Sequence, residues 1–209
     1  APDMQLRLHG SKTIARPQFR ELANQVYFDV QTDRSYIGNR FLTDSELLNL
    51  EARYEYYFAR EQRFSIAAFA KRIDNPIEAI SLTTNSDEPA GFTTFANAPE
   101  ALLYGAELEL VKYFPLDTLV DGGFLGSRRG VLIANYTYTQ SELRVGGSDT
   151  ILLDNSGVTG VVNDAADFFQ DGDKLTGQSD HLANLQIGLE DTDRLSQQTL
   201  LLTYASDRV

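Results

Sequence analysis

"LNLEARYEYYF", Leu48 to Phe58, is the stretch from which the rest of the chain is read. Its even positions are Leu48, Leu50, Ala52, Tyr54, Tyr56 and Phe58; its odd positions are Asn49, Glu51, Arg53, Glu55 and Tyr57. Successive side chains of an extended strand point to opposite faces, so one face here is wholly apolar or aromatic and the other mostly charged or polar. A helix would scatter the same residues around its surface.

The pattern recurs along the chain. In "RFSIAAFAKRI", Phe64, Ile66, Ala68 and Ala70 share a face opposite Ser65, Ala67, Phe69 and Lys71, and only "AREQ" separates this run from the first, as a hairpin turn would. "ALLYGAELELVKYF" (Ala101 to Phe114) sets Leu102, Tyr104, Ala106, Leu108 and Leu110 against Gly105, Glu107 and Glu109. "GVLIANYTYTQS" sets Leu132, Ala134, Tyr136 and Tyr138 against Asn135, Thr137, Thr139 and Ser141. "MQLRLHGSKTI", "HLANLQIGLE" and "QTLLLTYAS" alternate likewise, which makes seven strands.

Their connections alternate as well. The links after Phe58, Phe114 and Glu190 are short or moderate; those after Ile14, Ile73 and Ser141 are long. Long loops at one end and turns at the other describe an up-and-down barrel with one elaborated rim, the asymmetry of bacterial outer-membrane barrels. Strand length agrees. Leu48 to Phe58 at roughly 3.3 Å per residue spans about 36 Å, and tilted by about 45° it covers roughly 25 Å, the height of an outer-membrane apolar band. Tyr54, Tyr56 and Phe58 crowd the turn end of their strand while Tyr136 and Tyr138 lie toward the loop end of theirs, as two aromatic girdles would. Alternation alone does not say which face is inside. A soluble sandwich or small barrel would turn the apolar face inward; a transmembrane barrel turns it outward.

Composition removes other classes. The 209 residues carry a formal net charge of -12, which leaves no basic stripe for nucleic-acid phosphates. There is no cysteine, so disulfides, thiolate nucleophiles and Cys-based zinc sites are excluded. His9 and His181 are the only histidines, neither lies in an H-E-x-x-H context, and both read as barrel-surface residues. No apolar run is long enough for a transmembrane helix, which leaves strands that span a membrane untouched. The first and last residues lie almost inside strands, as though the chain were a piece of a larger protein.

Several segments resemble the barrel of TonB-dependent outer-membrane receptors. "GSKTIARPQFRELA" (10–23) is similar to a strand ending in that family's S-x-T-x-x-R-P-like segment. "GNRFLTDSELLNLEARYEYYF" (38–58) resembles its G-N-P-x-L-like segment followed by a strand with a Y-E-Y-like end, with Arg40 where the family often has proline, read as loop variation. "RFSIAAFAKRIDNPIE", the G-x-E-L-E strand in "LYGAELELVKYF" and "DHLANLQIGLED" follow in the family's order. The resemblance covers nearly the whole chain. It implies an all-β fold, an antiparallel up-and-down transmembrane β-barrel segment with long extracellular loops, in which residues 1–209 form a partial barrel domain of seven strands within a wall of about 22. It also implies a plug and last strands that this chain lacks, a location in the outer membrane of a Gram-negative bacterium, and contact with outer-membrane lipid and lipopolysaccharide. The implied activity is import of a scarce large nutrient, a ferric siderophore, vitamin or carbohydrate, with energy from the TonB complex acting through a missing N-terminal part. No enzyme activity, nucleic-acid partner, metal or cofactor is expected.

Candidate site residues fall in three places. Glu107 and Glu109, at i and i+2 on one strand, are about 6.6 Å apart. Glycosidase carboxyls lie about 5–5.5 Å or about 6.5–9.5 Å apart, so a soluble carbohydrate-binding or glycoside-hydrolysing β protein is the alternative reading. Neighbours on one strand project side by side, however, rather than flanking a bond, and a polar lumen wall shared with Glu51, Arg53, Glu55 and Lys71 also accounts for them. Arg16 and Arg20 in "ARPQFREL" could meet an anionic ligand or a lipopolysaccharide phosphate, or fold the loop against the rim. "NDAADFFQDGDKL" holds Asp164, Asp167, Asp171 and Asp173, whose spacing does not match an EF-hand and which read as a solvated acidic loop. Its Phe168 and Phe169, expected to be exposed, would touch a ligand or pack the loop down.

Overall fold

The alternating runs fold as a single wall. A computed structural model describes residues 3–30, 33–82, 92–116, 123–154, 160–191 and 193–208. In chain order its elements are β1 (Met4–Ala15), the one-turn helix α1 (Phe19–Leu22), β2 (Tyr27–Asp29), β3 (Arg34–Tyr36), β4 (Ser45–Ala59), β5 (Gln62–Asp74), β6 (Ile77–Leu82), β7 (Phe92–Asn97), β8 (Glu100–Pro115), β9 (Arg128–Arg144), β10 (Thr150–Asp154), β11 (Gly160–Asp164), β12 (His181–Asp191) and β13 (Ser196–Ala205). The seven long strands form one antiparallel sheet in the order β1-β4-β5-β8-β9-β12-β13, open at β1 and β13. These are the seven strands expected from the alternation, each beside its predecessor.

Register keeps the two faces separate across all seven. One row runs Leu8, Ala52, Ala68, Ala106, Tyr138, His181; the adjacent row runs Arg7, Arg53, Ala67, Glu107, Thr137, Leu182 and Ala205, and on the outer face Ala183 and Leu185 meet Tyr204 and Leu202 of β13. A slip of one residue in any pair would have mixed them. Exposure then settles the direction that alternation left open. Leu8 is 76% exposed and Leu50 56%, whereas Glu55 on the opposite face of β4 is 6% exposed. A protein in water would not leave such a face bare over six strands. The apolar face is the outer one, and the inward orientation that a soluble β protein requires is corrected: lipid is the solvent that this face fits.

Both margins of the outer face are marked. At the loop end the apolar stripe stops in paired charges, across strands in Lys12 with Glu46 (2.7 Å) and Arg72 with Glu100 (2.7 Å), and along one strand in Arg72 with Asp74 (3.2 Å) and Arg144 with Glu142 (2.9 Å). At the turn end, Lys112 lies 5.8 Å and 5.3 Å from the ring centres of Phe58 and Phe114. Tyr136 and Tyr138 gather around His181 toward the loop end, and the Tyr136 hydroxyl is 2.7 Å from His181 Nδ1. On the inner face, Phe69 lies over Gly105. A Cβ at Gly105 would come within 2.6 Å of the ring and 2.1 Å of the Tyr138 carbonyl oxygen, so no larger residue fits.

The long connections are not plain loops. Those after β1 and β5 join their short strands in a second sheet, β2-β3-β7-β6, in which β3 and β7 are parallel at Tyr36 and Thr93. The connection after β9 makes the β10-β11 hairpin. The buried core lies here: Ile80, Ala96 and Ala98 pack with Ala101, Leu143, Ile151, Leu153, Ala165 and Phe169. The placement follows from the medium. A wall one sheet thick has lipid on one face and the lumen on the other and needs no second layer; loops standing in water must bury their own apolar residues.

Candidate functional site

Between its two margins the wall carries its charges on the inner face, and most of them pair. Arg53 on β4 donates from Nε to Glu51 at 3.0 Å and from Nη2 to Glu107 on β8 at 2.8 Å. Arg63 on β5 donates to Glu109 at 2.7 Å. Arg7 on β1 meets Glu55 at 3.2 Å, and Tyr57 donates its hydroxyl to the same carboxylate at 2.9 Å. Nearer the turns Arg129 on β9 donates to Glu190 on β12 at 2.7 Å while its guanidinium stacks 4.2 Å from the Tyr113 ring centre. Lys71 lies on the same face, opposite Asn49. Glu107 and Glu109 are thus each engaged by their own arginine, and the two project side by side from one strand.

The rim is a second constellation, and it joins the three long loops. Asn39, wholly buried at the top of the first loop, donates its amide to the Phe95 carbonyl of β7 (3.0 Å) and to the Leu152 carbonyl of β10 (2.8 Å), while its Oδ1 accepts from the Phe41 amide (3.0 Å). Arg40 beside it donates to the buried carboxylate of Asp154 at 2.6 Å. The residue read as loop variation at the family's proline position therefore holds the first loop to the third. Asn97 of β7 accepts from the Thr43 amide at 2.8 Å and donates to the carbonyls of Thr43 and Asn75. Across the rim sheet Tyr27, Tyr36 and Phe95 stack with ring centres 5.5 Å and 6.1 Å apart.

The other sequence candidates divide. Arg16 and Arg20 are exposed on the first loop, Arg16 lying 3.7 Å from Asp44 and Arg20 on the single turn of α1. Phe168 and Phe169 are on the third loop and are not exposed as expected: Phe169 is in the core at 6% exposure and Phe168 packs against it. The apolar rings found partners in β6, β7 and β10 that no local pattern announced. Asp171 accepts from the Val145 amide at 3.0 Å, a loop-closing bond. Among the described residues no three acidic or histidine side chains converge on a point where a metal could sit.

Sequence reading passed over Glu78. It is buried on β6 and accepts from the Thr176 amide (3.1 Å) and hydroxyl, tying the second loop to the third beside a cleft of about 470 Å³ that Asp167, Phe168, Asp173 and Lys174 also line. Burial raises its pKa above the ordinary carboxyl value, and the two Thr176 donors pull it part of the way back. A carboxyl raised on folding favours the docked rim fully below its unfolded pKa, and that contribution is lost as pH rises through the folded value. Glu78→Gln is therefore expected to flatten the acid-to-neutral dependence of rim stability, with slower amide exchange of β6 at neutral pH. Thr176→Val should do the opposite and cost about 1–3 kcal/mol at neutral pH, because the buried carboxylate loses the hydroxyl donor and keeps only the backbone amide. Exchange of β6 amides measured at both pH values checks the two together.

Comparison with known proteins adds one match. The model of a protein family described as TonB dependent receptor-like, beta-barrel, matches residues 1–208. No curated protein matches the chain.

Proposed function

Since this chain belongs to the TonB-dependent receptor-like β-barrel family, we propose that it forms part of the wall and outer rim of a transporter that binds a scarce large nutrient and imports it with energy from the TonB complex. The family is one of outer-membrane transporters rather than enzymes, and the ligand classes that suit it are a ferric siderophore, a vitamin or a carbohydrate. One observation supports the reading above the others: the long strands turn their apolar face outward and their paired charges inward, beneath a folded rim. The ligand meets the rim first. Arg16 and Arg20 stand exposed there, suited to an anionic group on the ligand or to a lipopolysaccharide phosphate. Phe168 contributes from the cleft beside Glu78, and Phe169 supports it from behind. Glu107 and Glu109 line the passage, neutralised by Arg53 and Arg63 so that the wall is polar without holding a passing ligand by an unpaired charge.

Growth of a strain deleted for the complete gene, on single candidate nutrients, tests the function. Loss of growth on one, restored by the gene, supports it; unchanged growth and uptake on all of them would overturn it. In the restored strain Glu107→Gln with Glu109→Gln is expected to keep most of the uptake, since wet ion pairs are worth about 0.2–1 kcal/mol each. Complete loss of uptake with normal folding would instead give these carboxylates a direct part in transport.

A further inference from the structure

Buried carboxylates in this protein meet a cation, with one exception among the described residues. Glu55 and Asp191 are 6% and 5% exposed; Arg7 lies 3.2 Å from the first and Arg128 3.4 Å from the second. The enclosed carboxylate of Asp154 has Arg40 at 2.6 Å. Glu78 is 8% exposed, and its only partner among the described residues is Thr176, which carries no charge. Lys174 lines the same cleft but is held by Asp180 instead. The tie to the third loop uses one oxygen, since the Thr176 amide and hydroxyl both donate to Oε2. Oε1 takes no hydrogen bond among the described residues and is not enclosed, so it opens on the cleft of about 470 Å³ that Glu78 lines. A buried charge without a counter-charge is costly, and the loop tie by itself could be made by a neutral acceptor.

The rest of the cleft has the same sign. Asp167 and Asp173 stand exposed in its lining, and neither pairs with a cation among the described residues. Phe168 adds an aromatic ring, whose face attracts a cation. Leu143 of β9 lines the cleft from the inner face of the wall. The acidic side chains do not converge as metal ligands do, and the volume is that of a site for a small organic molecule. We propose that this cleft takes an organic ammonium group of the transported ligand, with Glu78 as its buried counter-charge, Phe168 as the ring beside it, and Asp167 and Asp173 drawing further positive charge to the mouth. The inference rests on the transport reading above and narrows the ligand to one that carries a protonated amine.

The test uses the complete receptor in detergent, with cadaverine as the probe and pentanediol as its neutral counterpart, and reads binding by saturation-transfer NMR. Cadaverine is expected to bind and pentanediol is not. Glu78→Gln should weaken cadaverine binding roughly tenfold or more, with β6 amide exchange showing that the rim is still folded. Asp167→Asn combined with Asp173→Asn leaves the Thr176 tie untouched and should weaken it roughly threefold; this double variant decides the matter if Glu78→Gln opens the rim. No cadaverine binding, unchanged affinity in either variant, pentanediol binding as tightly, or displacement of cadaverine by an equal concentration of magnesium ions would overturn the proposal. Growth of the deletion strain separates the two readings. Cadaverine binding through Glu78 with no growth defect on any nutrient counts against the transport reading alone, and a growth defect restored by a receptor that ignores cadaverine counts against this inference alone.

Discussion

Arginine in place of Leu108 is expected to destabilise the assembled receptor in lipid by roughly 2–4 kcal/mol, the cost of a cation on the lipid face near the middle of the bilayer. Leu108 lies mid-strand on β8, on the outer row between Ile66 and Tyr136. Above it on the same face are Tyr104 and Leu102, below it Leu110, and the nearest outward charges are at the two margins. No water or counter-charge is within easy reach of a guanidinium there. The informative comparison is Thr137→Arg, one step round the wall on the inner face opposite Glu107. The same side chain then enters a polar passage beside a carboxylate, and little loss is expected. Urea unfolding of the two variants in lipid vesicles separates them. Equal losses, or a larger loss from Thr137→Arg, would mean that the faces are assigned the wrong way round.

Asn39→Ala is expected to release the rim while leaving the wall standing. The change strands the Phe95 and Leu152 carbonyls and the Phe41 amide inside the rim. Each buried group left without a partner costs about 1–3 kcal/mol, and because the three share one site their costs will not simply add. Amides of β7 and β10 should exchange much faster and those of β4, β5 and β8 at the original rate; on the function proposed above, uptake should fall as well, because the rim no longer holds together. Slowed or unchanged exchange in β7 and β10 would show that the loops hold together without Asn39. Asn39→Asp is the stricter variant, since it keeps the acceptor but replaces the two donors with a buried charge.

The seven wall strands were legible because each wrote its own record. A strand of ten or more residues with one apolar face repeats a two-residue period often enough to be read without any neighbour, as the strands holding Leu48 to Phe58 and Leu102 to Leu110 show. The short rim strands, three to six residues long, repeat it too few times. Candidate site residues were less legible still. Glu107 and Glu109 stood out as a pair, yet their arginine partners are 54 and 46 residues away. Phe168 and Phe169 drew notice as bare aromatics because nothing local shows that β6, β7 and β10 close over them. Asn39 drew none beyond its place in a familiar segment, and one of its bonds spans 113 residues.

By itself, then, the sequence determined the strands, the division of each into two faces, and the end of the wall that carries the long loops, since all of these are properties of consecutive residues. Alternation reads the same from either side, so the outward direction of the apolar face was expected only from strand length, loop asymmetry and the family resemblance; exposure in the tertiary structure shows that this face is left bare. Tertiary structure alone decided that the three loops form one rim, through Asn39, Arg40 and Glu78, whose partners lie on strands far along the chain and become neighbours only when the wall has set its hairpins side by side.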